Sequence, residues 1–170
     1  FGQKLGAAMG PDAKAIHFIE RVLDPSHAIS AVGNDGTLLG IVGFKTIDGA
    51  LVGGGYSDLA AVYGHFGALW RAGVLSLLER DVENKRFLMD GIFVAQTARG
   101  KGIGSALLTA IMQEGRNRGY TELRLDVIDS NPRAKALYER HGFTAHDTTH
   151  LGPLRHIFKF RTATTMVKTL

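Results

Sequence analysis

Not one of the chain's 170 residues is cysteine. Disulfides, thiolate metal sites and a cysteine nucleophile are thereby excluded. A cysteine-free chain fits a reducing compartment, and a cytoplasmic location is the expectation. Long hydrophobic runs are also missing. None reaches the roughly 18 residues of a membrane helix, and no charged–apolar–small signal pattern opens the chain. Charge of one sign is scarce: 20 Lys and Arg stand against 16 Asp and Glu, a net +4, with no basic block. Neither a nucleic acid nor a membrane surface is therefore expected as a partner, whereas a mild positive balance suits a polyanionic small molecule. No repeat, low-complexity tract or linker divides the sequence. With 45% apolar residues, the length suits one domain, 1–170, with a real core. The chain opens at Phe1 without a methionine. The expectation is a trimmed start, with "FGQKLG" the remnant of a helix and the first strand of the domain missing.

Punctuation and periodicity then mark out elements. "PDAKAIHFIERVL" (11–23) begins at Pro11 and places Ile16, Ile19 and Leu23 on one side, which predicts a helix. "AISAV" and "LLGIVGFKTI" flank the turn-rich "GNDGT" and predict a β-hairpin. "GALVGGG" is a loop, or a strand end followed by one. Leu59, Val62, Tyr63, Phe66, Trp70, Val74 and Leu77 recur at helical spacing despite Gly64, Gly67 and Gly73. In this helix or helix pair, Tyr63 and Trp70 are expected to pack rather than to form a cage.

"RFLMDGIFVA" (86–95) has the length and apolar density of a buried strand. A glycine stretch follows, then a stripe of Ile103, Ala106, Leu107, Ala110 and Ile111, with Gly119 as the stop. "TELRLDVI" alternates as a strand. "NPRAKALYERHGF" is a helix with Asn131 as N-cap, Pro132 at the first helical position and Gly142 at its end. The tail, "FTAHDTTHL" and "HIFKFRTATTMVKTL", predicts two more strands. Strand, helix, strand, helix, strand implies an α/β sheet with at least one parallel crossover. His146 and His150 imitate a zinc spacing, but they fall on a β segment, so no metal is expected.

The turn "RGKGIGS" (99–105) joins the buried strand to the amphipathic helix. Glycine permits a sharp turn and keeps side chains out of a ligand's way, Gly104 included. The first N–H groups of a helix lack partners within it, and the helix dipole favours an anion there. Arg99 and Lys101 add positive charge. The turn lacks the Gly-Lys-Ser/Thr ending of a phosphate loop. Against G-x-G-x-x-G its third glycine, Gly104, comes one position early, with Ser105 in the expected place. Asn131 and Tyr138 lie seven residues apart, nearly on one helical face and about 10 Å apart. An N-cap and a half-buried aromatic would explain them equally well.

The two segments together, "IFVAQTARGKGIGSALLTAI" and "LDVIDSNPRAKALYERHGF", resemble the signature segments of the GCN5-related N-acetyltransferases. The first carries Gln96, Arg99, Gly102 and Gly104 of that family's Q/R-x-x-G-x-G/A pattern. The second carries Asn131, Ala134, Tyr138, Gly142 and Phe143. The resemblance is specific over residues 88–143 and loose elsewhere.

This resemblance implies a single-domain mixed sheet of about six or seven strands with helices on both faces. It implies an acetyl-CoA-dependent transfer of acetyl to a primary amine of a small molecule or peptide. Backbone N–H groups of Arg99, Gly100, Lys101, Gly102, Ile103, Gly104 and Ser105 would hold the coenzyme A pyrophosphate. Backbone groups of Phe93 and Val94 would pair with the pantetheine arm, beside a bulge consistent with Gly91, and Asn131 would touch the same arm. Tyr138 would face the thioester sulfur as proton donor, and the N–H of Val94 would meet the carbonyl oxygen. Asp90, four residues before Val94, is the candidate base; Glu79, Asp81, Glu83 or a water chain are alternatives. The helical segment 56–80 would line the acceptor pocket or form a homodimer contact. A catalytically inactive acyl-CoA-binding sensor on the same fold is the alternative function. A nucleotide-binding module would need a ribose reader or a magnesium-binding Ser/Thr, and neither is found.

Overall fold

The structure, a computed structural model, describes residues 9, 10, 12–76 and 85–170. The expected N-terminal helix remnant, the end of the 56–80 segment at Leu77, and the alternative bases Glu79, Asp81 and Glu83 lie outside these residues. Seven strands form one sheet: β1 (Ala28–Val32), β2 (Leu38–Thr46), β3 (Gly49–Ala50), β4 (Arg86–Val94), β5 (Glu122–Ile128), β6 (Thr144–His150) and β7 (Thr162–Thr169). The α-helices bounded among the described residues are α1 (Asp12–Val22), α2 (Tyr56–Ser76), α3 (Ile103–Asn117), α4 (Pro132–Arg140) and α5 (Arg155–Phe158).

The strand order is β1-β2-β4-β5-β7-β6, with the short β3 also paired to β2. All neighbours are antiparallel except β4 and β5. The crossovers β4–α3–β5 and β5–α4–β6 advance across the sheet in one direction, so the right-handed rule puts both helices on one face. The core agrees. Leu107, Leu108 and Ile111 of α3 and Tyr138 of α4 share one buried cluster with Phe87, Leu123, Leu125 and Met166 of the sheet. Alternation in β5 supplies Leu123, Leu125 and Val127 to that cluster, as its period predicts.

The buried stripe of α3 differs from the expected one. Ala106 is exposed, and Leu108, Met112 and Gly115 join Leu107 and Ile111 inside. The side of α1 is also different: Ile16 and Leu23 are exposed, and Ala15, Phe18, Ile19 and Val22 face inward. The reason is the partner. α1 packs on α2, and Phe18 joins Leu59 and Ala68 in a separate apolar cluster. In α2 the periodic stripe breaks at Gly64, whose backbone leaves the helical region (φ 73°, ψ 166°). The phase slips there, turning Phe66 and Trp70 to the surface while Tyr63 stays packed. The guanidinium of Arg71 lies 3.9 Å from the centre of the Tyr63 ring and 4.4 Å from that of Trp70.

"HIFKF" is not strand, as the tail's composition suggested. α5 takes its first three residues, His156 to Phe158, and Lys159 follows in the left-handed region at φ 60°. Phe158 and Phe160 are thereby both buried in a small cluster with Ile128, Leu151 and Ala163.

Ile111, fully buried between α3 and the sheet, sets a stability test. Ile111→Ala is expected to cost about 2–5 kcal/mol in urea unfolding, through lost transfer energy and a cavity. Phe66→Ala, at a ring 92% exposed, is expected to stay within about 0.5 kcal/mol.

Candidate active site

The site begins where β4 and β5 part. They pair over only three positions, Arg86–Glu122, Phe87–Leu123 and Leu88–Arg124. Arg86 Nε donates to Glu122 Oε2 at 2.7 Å, and Phe87 stacks on Tyr120 with ring centres 5.1 Å apart, so this end is held shut. Beyond Leu88 a gap opens in the sheet.

The cause on β4 is a bulge. Gly43 of β2 faces Gly91, and the next residue, Phe44, faces Met89. Asp90 is the extra residue between them, and it is exposed. The sequence pointed to Gly91 as the bulge. Gly91 is instead the neighbour of the bulge: a Cβ there would lie 2.9 Å from the far edge of the Phe93 ring, which would have to shift.

The ladder decides which backbone groups face the gap. Ala95 N–H donates to Leu39 O at 2.9 Å, and bonded pairs alternate in an antiparallel ladder. Phe93 therefore bonds back to Ile41, its register partner, while the N–H and C=O groups of Ile92 and Val94 turn toward the gap. Val94, given a backbone role from the sequence, has its N–H and C=O on the gap side. Ile92, not singled out from sequence, takes the backbone place given to Phe93, whose side chain lines a cavity beside the gap.

At the end of β4 the chain enters the glycine turn. Arg99 spends its backbone N–H on Gln96 O at 3.4 Å and points Nε back to Val94 O at 3.3 Å. Gly100 and Gly102 are left-handed, at φ 77° and 81°, a conformation that side-chain-bearing residues rarely adopt. Gly102 caps α3 without any side-chain bond. Among the described residues, no acceptor meets the N–H groups of Gly100, Lys101, Gly102, Ile103, Gly104 or Ser105. Open donors at a helix N-terminus are a fitting cradle for a phosphate-bearing ligand. Gly104 has a different reason from the expected one: a Cβ there would meet Leu137 of α4 at 3.2 Å, so its bareness serves helix packing.

On the other side of the gap α4 begins. Asn131 Oδ1 accepts the Ala134 N–H at 3.3 Å, the N-cap bond read from the sequence. That bond leaves Nδ2 as a donor, and Asn131 lines the cavity. Tyr138, 5% exposed, touches the same cavity, and its hydroxyl pairs with no described residue. Burial pushes its phenol up to about 12.

The cavity measures about 680 Å³. It brings together Asp90, Phe93, Asn131 and Tyr138, and α2 closes it with Tyr56, Leu59 and Leu75. Asp126 lies in the same wall, its Oδ1 accepting from Thr165 Oγ at 2.6 Å. Sequence reasoning missed it. The signal was there, since Arg124 and Asp126 occupy the polar alternation of a strand between two crossovers. The histidines of "HDTTH" sit exposed on β6, with His146 at a bulge. Among the described residues, no group of three or more His, Asp or Glu is placed to hold a metal ion. Likewise no described helix is long and apolar enough to cross a membrane.

Residues 8–143 match the acetyltransferase (GNAT) family. A bovine thialysine N-ε-acetyltransferase is 33% identical over 78 residues, which are 46% of this chain and 44% of that protein. An acetyltransferase of Agrobacterium fabrum is 41% identical over 63 residues, 37% of this chain and 43% of that one. The matches thus span under half the length of these curated relatives. In three dimensions, a GCN5-related N-acetyltransferase from Kribbella flavida aligns over 99% of this chain and 87% of its own, with TM-score 0.61 and 18% identity. That likeness speaks to the fold.

The Tyr138 environment sets a pH test. An exposed tyrosine ionises near 10. With the folded value raised to about 12, the native state holds the proton more tightly than the unfolded one. The stabilisation is fully present below about pH 10 and is lost as pH rises from about 10 to about 12. Urea unfolding at pH 9 and 11.5 is expected to show a larger loss in the unsubstituted protein than in Tyr138→Phe. Equal losses would place the phenol in water.

Proposed function

Since the chain belongs to the acetyltransferase (GNAT) family, we propose that it is an N-acetyltransferase moving acetyl from acetyl-CoA directly to a primary amine. One observation carries the reading. A single gap between β4 and β5 leads from a turn of unpaired amides to a cavity holding a buried phenol and carboxylates. Acetyl-CoA supplies an acetyl thioester and a thiolate leaving group.

The residues divide the work. The N–H groups of residues 100–105 hold the pyrophosphate, with Lys101 and Arg99 adding charge. Ile92 and Val94 offer backbone donors and acceptors to the pantetheine amides, and Asn131 reaches the same arm with Nδ2. The N–H of Val94 stabilises charge developing on the carbonyl oxygen. Tyr138 keeps its proton at any physiological pH, because burial raises its phenol to about 12, and gives a hydrogen bond or proton to the departing sulfur. A thiolate has a conjugate acid near 8.5, so the transfer is a matter of position more than of acidity.

The acceptor arrives mostly as ammonium and must lose a proton before attack. Asp90 takes that role in this reading, because the bulge lifts it out of the ladder and into the cavity wall. Asp126 is the second carboxylate in that wall. The relatives' names add a class, amine acetylation, to which the cavity's carboxylates correspond.

Titration calorimetry with coenzyme A, followed by an amine panel read by thiol release, tests the reading as a whole; no coenzyme binding would end it. Tyr138→Phe is expected to lower kcat by roughly 10- to 1,000-fold with little change in coenzyme affinity, since the ring stays. Unchanged kcat would show that sulfur leaves without the phenol. Asp90→Asn is expected to lose activity near neutral pH and regain it as pH approaches the amine's own pKa, where free amine needs no base. If Asp126→Asn shows that profile and Asp90→Asn does not, the base is on β5.

A further inference from the structure

His141 sits at the C-terminal end of α4, three residues beyond Tyr138. Its Nε2 lies 2.9 Å from the hydroxyl oxygen of Ser105, the third residue of α3. Both residues are half-buried. The backbone around the ring is pinned: His141 N–H donates to Leu137 O at 3.2 Å and Tyr138 O at 3.0 Å, and its carbonyl accepts from Lys168 Nζ. Gly142 then leaves the helix in the left-handed region. The imidazole is therefore held against the same turn that presents six open amides.

We propose that His141 is a positioning residue for the coenzyme's phosphates, acting through the Ser105 hydroxyl and making coenzyme affinity depend on imidazole protonation. This rests on the coenzyme reading of the turn. The chemistry follows from donor counting. A serine hydroxyl has one proton to give and can accept two hydrogen bonds. When Nε2 is bare, it captures that proton, and the phosphate loses a donor. When Nε2 carries a proton, it donates to Ser105 Oγ, and the hydroxyl proton turns outward to the phosphate. The doubly protonated ring does this in every orientation and adds a positive charge behind the serine.

The sign follows by linkage. An anion on the turn favours the protonated imidazole, so protonation must favour the anion by the same factor. Affinity rises as pH falls. The charged groups on the elements packed against His141 are Lys168 on β7, which donates to the His141 carbonyl, Arg99 and Lys101 on the turn before Ser105, and Glu139 and Arg140 just before it on α4, with Glu139 4.0 Å from Lys135.

The probe is dephospho-coenzyme A, which keeps the pyrophosphate and lacks the separately titrating monophosphate. Calorimetric Kd values are measured at pH 5.5, 6.5, 7.5 and 8.5, with a melting curve for each variant. The unsubstituted protein is expected to bind about 3- to 10-fold more tightly at the lowest pH than at the highest, tenfold being one pKa unit of coupling. His141→Gln keeps an N–H for Ser105 without a titrating ring, so its affinity is expected to be pH-independent and near the low-pH value. Ser105→Ala, with the acceptor of that bond removed, is expected to lose most of the slope while the imidazole remains. An unchanged slope in His141→Gln, or in Ser105→Ala, overturns the proposal and leaves the coenzyme reading intact. Flat, tight binding by the unsubstituted protein overturns it in the same way. No binding at any pH overturns both.

Discussion

Two adjacent strands that start together and cannot stay together set the rest of the structure. β5 bonds to β7 along its whole length, from Glu122 to Ile128, and β4 bonds to β2 on its far side. Between them only three positions pair. Backbone N–H and C=O groups are costly to bury unpaired, so an opening in mid-sheet demands either water or a ligand with amides of its own. The Arg86–Glu122 pair and the Phe87–Tyr120 stack close one end. The bulge at Asp90 shifts the ladder at the other. The groups of Ile92 and Val94 are left facing the gap as a consequence, not as an addition.

The two crossover helices turn this gap into a site with two ends. α3 begins at the unpaired amides, and α4 carries Asn131 at its start and Tyr138 near its end. Their separation is fixed by close packing, since Gly104 leaves just enough room for Leu137. The Ser105–His141 bond ties the same two helices at the end where the turn presents its open amides. A change at the turn is thus felt on the helix that holds the phenol, through contacts of ångström tolerance.

The opposite wall is built from segments far apart in sequence. α2, the β2–β3 turn and the glycine loop before α2 meet β4, β5 and α4 around one cavity. Apolar residues dominate it, and its charged members come from separate strands: Lys45 on β2, Asp90 on β4 and Asp126 on β5, with Asp48 in the turn. A wall assembled this way can vary through its loops while the strand gap stays as it is.

Much of this was determined by the sequence alone, wherever the physics is local. Strand and helix periods, the Asn131 cap with Pro132, and the glycines before α3 each depend on neighbours within a few residues, and the structure holds each in the element read for it. The paired signatures around Gly102 and Tyr138 carried the family, because a strand–turn–helix and a capped helix in fixed order leave few folds open. Tertiary structure decided what depends on distant partners. The inward face of α1 was chosen by α2, and the phase of α2 by the backbone at Gly64, so Ile16, Phe66 and Trp70 point outward against their periodicity. Only the register with β2 could show that Asp90 is the bulge and that Ile92, rather than Phe93, opens toward the gap. Only the crossovers could bring Asp126 into one cavity wall with Asp90, and His141 against Ser105, partners 36 residues apart in each case. Periodicity records how often a side chain turns, and the partner that packs against it decides which turn is the inside.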